Sequence, residues 1–93
     1  MGTLRQNEIE GITNPDALRD LLYQVLESEL GGVEIYTAAV EAAVDEDLKK
    51  EWKKYLAETK KHVTIARDLL VTIGFDPDAE IPARLFVRRV GET

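Results

Sequence analysis

Cysteine is absent from this chain of 93 residues, histidine occurs only once, and no long apolar run is present. The absence of cysteine excludes a disulfide framework, a thiolate metal site and a cysteine nucleophile, and it leads us to expect a cytoplasmic protein. No segment approaches the roughly 18 uncharged apolar residues of a membrane span, so we expect no membrane partner. The first residues also lack the apolar core of a signal peptide.

Positive charge is scarce in the first half of the chain. Residues 1–47 hold two basic side chains against eleven acidic ones, whereas residues 48–93 hold ten basic against seven acidic. The net charge of −6 argues against general nucleic-acid binding, because that affinity depends on cationic groups at the phosphates. We interpret the asymmetry as two helices whose outer faces complement each other within one hairpin. A specific basic docking surface is the alternative.

Two long amphipathic helices are predicted after a non-periodic lead, residues 1–13, that we expect to be flexible. Asn14 is suited to cap a helix that starts at Pro15, and apolar residues then recur with the helical period for about 29 residues. The acidic run 45–47 favours a second helix start, and the second periodic stretch ends at Gly74.

The connection between the two helices is short, which makes them antiparallel neighbours. A short amphipathic helix is predicted after Pro82, and no strand pattern occurs anywhere in the chain. We therefore predict an all-α fold, in which an antiparallel two-helix hairpin is followed by a short C-terminal helix. The Gly31-Gly32 pair inside the first helix indicates a close approach of the second helix or a local irregularity.

One carboxylate of the first helix lies among the apolar residues. At about 100° per residue, Glu29 falls at the centre of the apolar stripe. Its neighbours Glu27, Glu34 and Glu41 fall about 120–160° away, so we expect them to face water. An ionised carboxylate on an apolar stripe is costly unless it is paired or bound to a metal.

The second helix carries a matching anomaly, because the only histidine, His62, lies on its apolar stripe with Glu58 one turn earlier. A core histidine is commonly a structural residue, Glu29 could pair with a cation across the hairpin, and Tyr36 alone is typical of a core. Their joint occurrence favours a metal site, since Glu and His four residues apart can reach one ion from a common face. The candidate metal ligands are Glu29, Glu58 and His62.

Two segments resemble the ferritin-like superfamily, in particular its bacterioferritin and rubrerythrin members. Residues 29–36, ELGGVEIY, are similar to its first-helix pattern, and residues 58–77, ETKKHVTIARDLLVTIGFDP, are similar to its second helix. In that family a Glu of the first helix and a Glu-x-x-His motif of the second form half of a dinuclear iron site in a four-helix bundle. The resemblance implies a ferritin-like hairpin with a C-terminal tail over residues 14–93.

The resemblance also implies Glu29 and His62 as iron ligands and Tyr36 as a neighbouring hydrogen-bond donor. Manganese or zinc would suit the same donors. Thr59 stands where the motif has its Glu, and a threonine cannot bridge two metals. Either Glu58 replaces that carboxylate, or one metal is bound weakly, or the site is a structural relic.

A ferritin-like bundle needs four helices, whereas this chain predicts two long ones. We expect two hairpins to pair across a two-fold axis, as in encapsulated ferritins, so that each copy contributes Glu29, Glu58 and His62. A larger assembly of such dimers fits the same reasoning. The alternative is that the chain is the N-terminal half of a longer protein.

Three functions follow. The first is metal binding of the di-iron carboxylate type, with ferroxidase activity or iron handling as its specific form. The second is a metal-free dimeric interaction module that presents its lysine-rich second helix or the arginines 84, 88 and 89. The third is an acidic surface for basic ligands, formed by the glutamates 27, 34 and 41.

Overall fold

The computed structural model describes residues 14–92, which form three helices and no strand. Helix α1 spans Pro15–Ala42, α2 spans Glu46–Thr72 and α3 spans Pro82–Glu92. The all-helical prediction is confirmed for these residues, and the lead predicted at 1–13 lies outside them. Within the described part of the chain, no helix combines the length and the apolar character that crossing a membrane requires.

The helix boundaries follow capping residues. The side chain of Asn14 accepts hydrogen bonds from two amides of the first turn of α1, at 3.0 and 3.3 Å. Asp45 caps α2 in the same way, at 2.9 Å. Gly74 follows α2 with a φ of 93°, a left-handed conformation that a side chain would strain.

Helices α1 and α2 pack as an antiparallel hairpin. A Cβ added to Gly32 would lie 3.1 Å from the methyl carbon of Thr59, and the ring of Tyr36 lies 5.9 Å from that of Tyr55. Residue numbers thus fall along α2 as they rise along α1. The close approach predicted at the glycine pair belongs to Gly32 alone, because a Cβ at Gly31 would meet open space.

The core lies between α1, α2 and the segment that connects α2 to α3. Its buried side chains are Tyr23, Leu26, Ala66 and Leu70, against which Leu22, Leu30, Val63, Phe75, Ala79 and Ile81 pack. The hydroxyl of Tyr23 donates to the backbone carbonyl of Asp76, which ties α1 to the connecting segment. Burial raises the pKa of the Tyr23 phenol and keeps it neutral.

Helix α3 packs on α1 through a cluster of charges at Glu27. Its carboxylate accepts hydrogen bonds from Arg84 at 2.8 Å and from Arg88 at 2.9 Å, and its side chain is only 10% exposed. The expectation that Glu27 faces water is therefore wrong. The periodicity of α1 does not contain the reason, which is that a separate helix supplies two guanidinium groups.

Within residues 14–92, no ion pair joins a lysine of α2 to a carboxylate of α1. The ion pairs among residues 14–92 involve arginines and the histidine, and none of them involves a lysine. Our interpretation that the outer faces of α1 and α2 complement each other therefore gains no support from contact ion pairs and stays a prediction. Glu34 borders the groove between α1 and α3.

Candidate metal centre

The antiparallel register of α1 and α2 brings Glu29 and His62 together at mid-helix. Oε2 of Glu29 lies 3.5 Å from Nδ1 of His62. The carboxylate side chain is 29% exposed and the imidazole is 57% exposed, so the pair lies at the rim of the helix interface. The predicted juxtaposition of the two residues is present.

The separation of the two atoms is close to that of two ligands on one ion. Donors bound to a tetrahedral ion at about 2.0–2.1 Å lie about 3.4 Å from each other. The observed 3.5 Å is long for a hydrogen bond and suits a shared cation, although a protonated imidazole would also form an ion pair at this distance. The two helices thus hold two donor atoms at ligand spacing.

Glu58 and Tyr36 line the same cleft as this pair. The cleft has a volume of about 360 Å³ and opens to solvent. Its remaining walls are formed by Ser28, Gly32, Tyr55 and Thr59. All four predicted site residues therefore surround one space, and Glu58 approaches it from the turn that precedes His62.

Thr59, Tyr36 and Tyr55 line the cleft, and the hydroxyl of Thr59 is not free to bind a ligand. Thr59 is buried, and its hydroxyl donates to the backbone carbonyl of Tyr55 at 2.8 Å. The rings of Tyr36, Trp52 and Tyr55 lie 5.9 Å from one another. The sequence analysis missed Trp52 and Tyr55 as neighbours of the site, although both lie on the stripe of His62.

The described residues of one chain do not bring together a complete di-iron site. Among residues 14–92, no three Asp, Glu or His side chains lie close enough together to hold one metal ion. Glu29 and His62 are at ligand spacing, and Glu58 borders the cleft without completing the set. A pair of iron ions would need carboxylates beyond those that residues 14–92 of one chain bring together.

Exposed apolar residues flank the cleft on the side away from the core. On a helical wheel they fall beside Glu29 on α1 and beside His62 on α2, about 60° or more from the buried residues of each helix. We call them the open edge: Leu21, Val25, Ile65 and Leu69, whose exposures range from 40% to 56%. Exposed apolar residues that cluster on one side of a hairpin are typical of an interaction site.

No protein-family model, curated protein or solved structure matches this chain. The resemblance to ferritin-like proteins therefore stays a prediction drawn from residues 29–36 and 58–77. The cleft and the open edge around it are the structural features that bear on function.

Proposed function

We propose that this chain is a metal-binding protein of the ferritin-like type, whose metal centre is completed by a second copy. The observation that carries the proposal is the 3.5 Å approach of Glu29 Oε2 to His62 Nδ1 in a cleft that Glu58 also borders. A carboxylate amid apolar neighbours is tolerated where a cation neutralises it. Oxygen and imidazole donors together suit iron, manganese or zinc.

The open edge supports the contribution of a second copy. Pairing of two hairpins through Leu21, Val25, Ile65 and Leu69 would cover apolar surface that one chain leaves in water. Because Glu29 and His62 lie within this edge, a two-fold axis there would place the two clefts face to face. Two copies supply four carboxylates and two imidazoles, which is the inventory of a di-iron carboxylate centre.

The residues of the chain have distinct roles in this proposal. Glu29 and His62 would bind an ion within one chain, and Glu58 would supply the carboxylate that Thr59 does not. Tyr36 would form part of the cleft wall and offer its hydroxyl as a hydrogen-bond donor to a ligand in the cleft. A bound iron pair would supply oxidation of Fe(II) by dioxygen or peroxide, which is the chemistry that the resemblance implies.

Metal-dependent stabilisation tests this function. We expect protein purified without chelator to contain one or two metal ions per dimer, and Mn²⁺, Zn²⁺ or anaerobic Fe²⁺ to raise its melting temperature. At a free metal concentration 100 times Kd, the stabilisation would be about 2.7 kcal/mol. Glu29→Gln and His62→Gln should abolish the effect, because each removes one of the two donors held at ligand spacing.

Glu34→Gln is the matched control, since it makes the same chemical change on the same helix at an exposed site that borders no part of this cleft. It should retain the full metal response. An equal loss of response in Glu34→Gln, or an unchanged response in both Glu29→Gln and His62→Gln, would contradict the proposed centre.

A metal-free dimeric interaction module is the second candidate. Thr59 at the motif position favours it, since its hydroxyl is engaged with the backbone and Glu29 already has His62 as a partner. In that case Glu29→Ala should be neutral or stabilising, and the dimer should persist with chelator present. Arg84 and Arg88 are not available as its docking surface, because both are engaged with Glu27.

A further inference from the structure

A cationic face covers the outer side of α2. On a helical wheel its lysines occupy an arc about 140° wide, and no acidic residue between positions 49 and 61 falls inside that arc. The set, which we call the lysine face, is Lys49, Lys50, Lys53, Lys54, Lys60 and Lys61. All but Lys49 are exposed, and within residues 14–92 none of the six forms an ion pair.

Within residues 14–92, no ion pair neutralises the charge of the lysine face. Lysines one turn apart, such as Lys49 and Lys53, repel each other along the helix. No carboxylate of residues 14–92 forms an ion pair with one of these lysines. A second surface that carries carboxylates would relieve the repulsion.

Two exposed carboxylates lie on the side of α1 that borders α3, where Glu34 lines a groove with Val87 and Arg88. Glu34 and Glu41 are seven residues apart, so they project from the same side of the helix. Both are exposed, and neither takes part in an ion pair of the described residues. Glu27, which continues this row, is held by the arginines of α3 and is therefore not available. We call Glu34 and Glu41 the acidic face.

We propose that the lysine face of one copy docks on the acidic face of another copy of this chain. The carboxylates of Glu34 and Glu41 project from points about 10 Å apart along α1, and Lys53 and Lys60 are separated by the same distance along α2. Both carboxylates can therefore meet a lysine in a single register. Because the two faces are different surfaces, the contact can repeat from copy to copy.

A second copy fits the lysine face better than a nucleic acid does. The net charge of −6 opposes the approach of a nucleic acid and of a second copy alike. What favours the second copy is local, because it offers two carboxylates at the spacing of two lysines of the lysine face. Neither face includes Glu29, His62 or the open edge, so this contact is independent of the proposed metal centre. It would join dimers, where they form, into larger assemblies.

Association measured against salt tests the contact. In light scattering or sedimentation, mean particle mass should be about twofold or more higher at about 10 mM than at about 1 M salt, because the screening length falls from about 30 Å to about 3 Å. Lys53→Glu with Lys60→Glu should abolish the rise, because two acidic faces repel. Glu34→Lys with Glu41→Lys should abolish it equally. Both exchanges keep residues of similar helix propensity.

Two experiments that should restore the association distinguish direct pairing of the two faces from a general effect of charge. An equimolar mixture of the two doubly substituted chains should regain the rise in mass, and so should the fourfold variant, which retains the net charge of −6. Arg89→Glu, an exposed charge reversal on α3, should leave the rise unchanged. Failure of both restorations, or an assembly that forms only when a nucleic acid is added, would overturn the proposal.

Discussion

Glu27 fixes α3 on α1 with both oxygens of its carboxylate. Arg84, whose side chain is 6% exposed, donates to Oε2, and Arg88 donates to Oε1 and, at 3.4 Å, to Oε2. Arg84 also donates to two backbone carbonyls of the preceding segment. A buried guanidinium that keeps its carbonyl partners but loses its counter-charge is strongly unfavourable. Replacement of the Glu27 carboxylate by an amide should therefore have a large effect on the stability of the fold.

Glu27→Gln should lower the free energy of unfolding by about 2 kcal/mol in urea denaturation at pH 7, because it leaves the buried Arg84 without a negative partner. The hydrogen bond from Arg88 lowers the pKa of Glu27 below its ordinary 4.5. The carboxylate therefore stabilises the fold above that value, and the contribution is lost as pH falls through the lowered pKa. The free energy of unfolding of Glu27→Gln should therefore fall less steeply than that of the unsubstituted protein as the pH is lowered through this range.

The control for this prediction is Glu34→Gln, which should change stability by no more than about 0.5 kcal/mol because the side chain is exposed and unpaired in the described chain. Equal losses in the two variants would show that Glu27 stabilises only through helix charge.

Glu27 and Glu29 show what one helix can reveal about its own side chains. The wheel placed Glu29 at the centre of the apolar stripe, whereas the structure places it at the rim of the α2 contact, where His62 is its partner. The wheel could not show that Glu27 is buried, because the burying groups belong to α3, some 57 residues later in the chain. The signal available in the sequence was the Arg84–Arg88 pair, one turn apart on a helix that needed an acidic partner.

At the scale of the helices, the two adjacent glycines of α1 lie in different surroundings. A Cβ at Gly31 meets nothing within 4 Å, while one at Gly32 meets the methyl carbon of buried Thr59 at 3.1 Å. Both positions gain the same helix propensity from alanine. The difference between the two substitutions therefore measures the closeness of α1 and α2.

Gly31→Ala should raise the free energy of unfolding by about 0.5–1 kcal/mol, because alanine loses less conformational entropy in a helix. Gly32→Ala should be less stable than Gly31→Ala by about 1 kcal/mol, because its methyl group forces Thr59 to shift. Thermal or urea unfolding of the pair measures the difference.

Thr59→Ser provides the test of cause, since it removes the methyl carbon and keeps the hydroxyl that donates to Tyr55. In that background the difference between the two alanine variants should shrink. An undiminished difference would place the origin elsewhere in α1.

Local patterns predicted the helices of the whole molecule better than they predicted its surfaces. Caps at Asn14 and Asp45 and the left-handed Gly74 define the ends of α1 and α2 through contacts within a few residues. The side of α1 that α3 covers depends on contacts between distant residues, which periodicity does not encode. The cleft was anticipated because Glu29 and His62 break two regular stripes, whereas its aromatic wall resembles an ordinary core.

The open edge makes oligomeric state a property that can be tested at one position. Leu69 and Val71 are both exposed apolar residues of α2, at 46% and 61%, but Val71 falls on the outer side of the helix. Leu69→Lys should reduce the mass in light scattering from two copies to one. Each dimer would lose apolar burial of about 1 kcal/mol per copy, and the added ammonium would have to be desolvated as well.

Val71→Lys introduces the same charge two residues away and should leave the mass unchanged, because no apolar partner is expected there. The comparison is made at about 1 M salt, where contacts between the lysine and acidic faces are screened. If Leu69→Lys also lowers metal content while Val71→Lys does not, the metal centre needs both copies. If the dimer tolerates Leu69→Lys, or if Val71→Lys dissociates it equally, the hairpins do not pair through the open edge. Glu29 and His62 would then have to bind any metal without a second set of ligands.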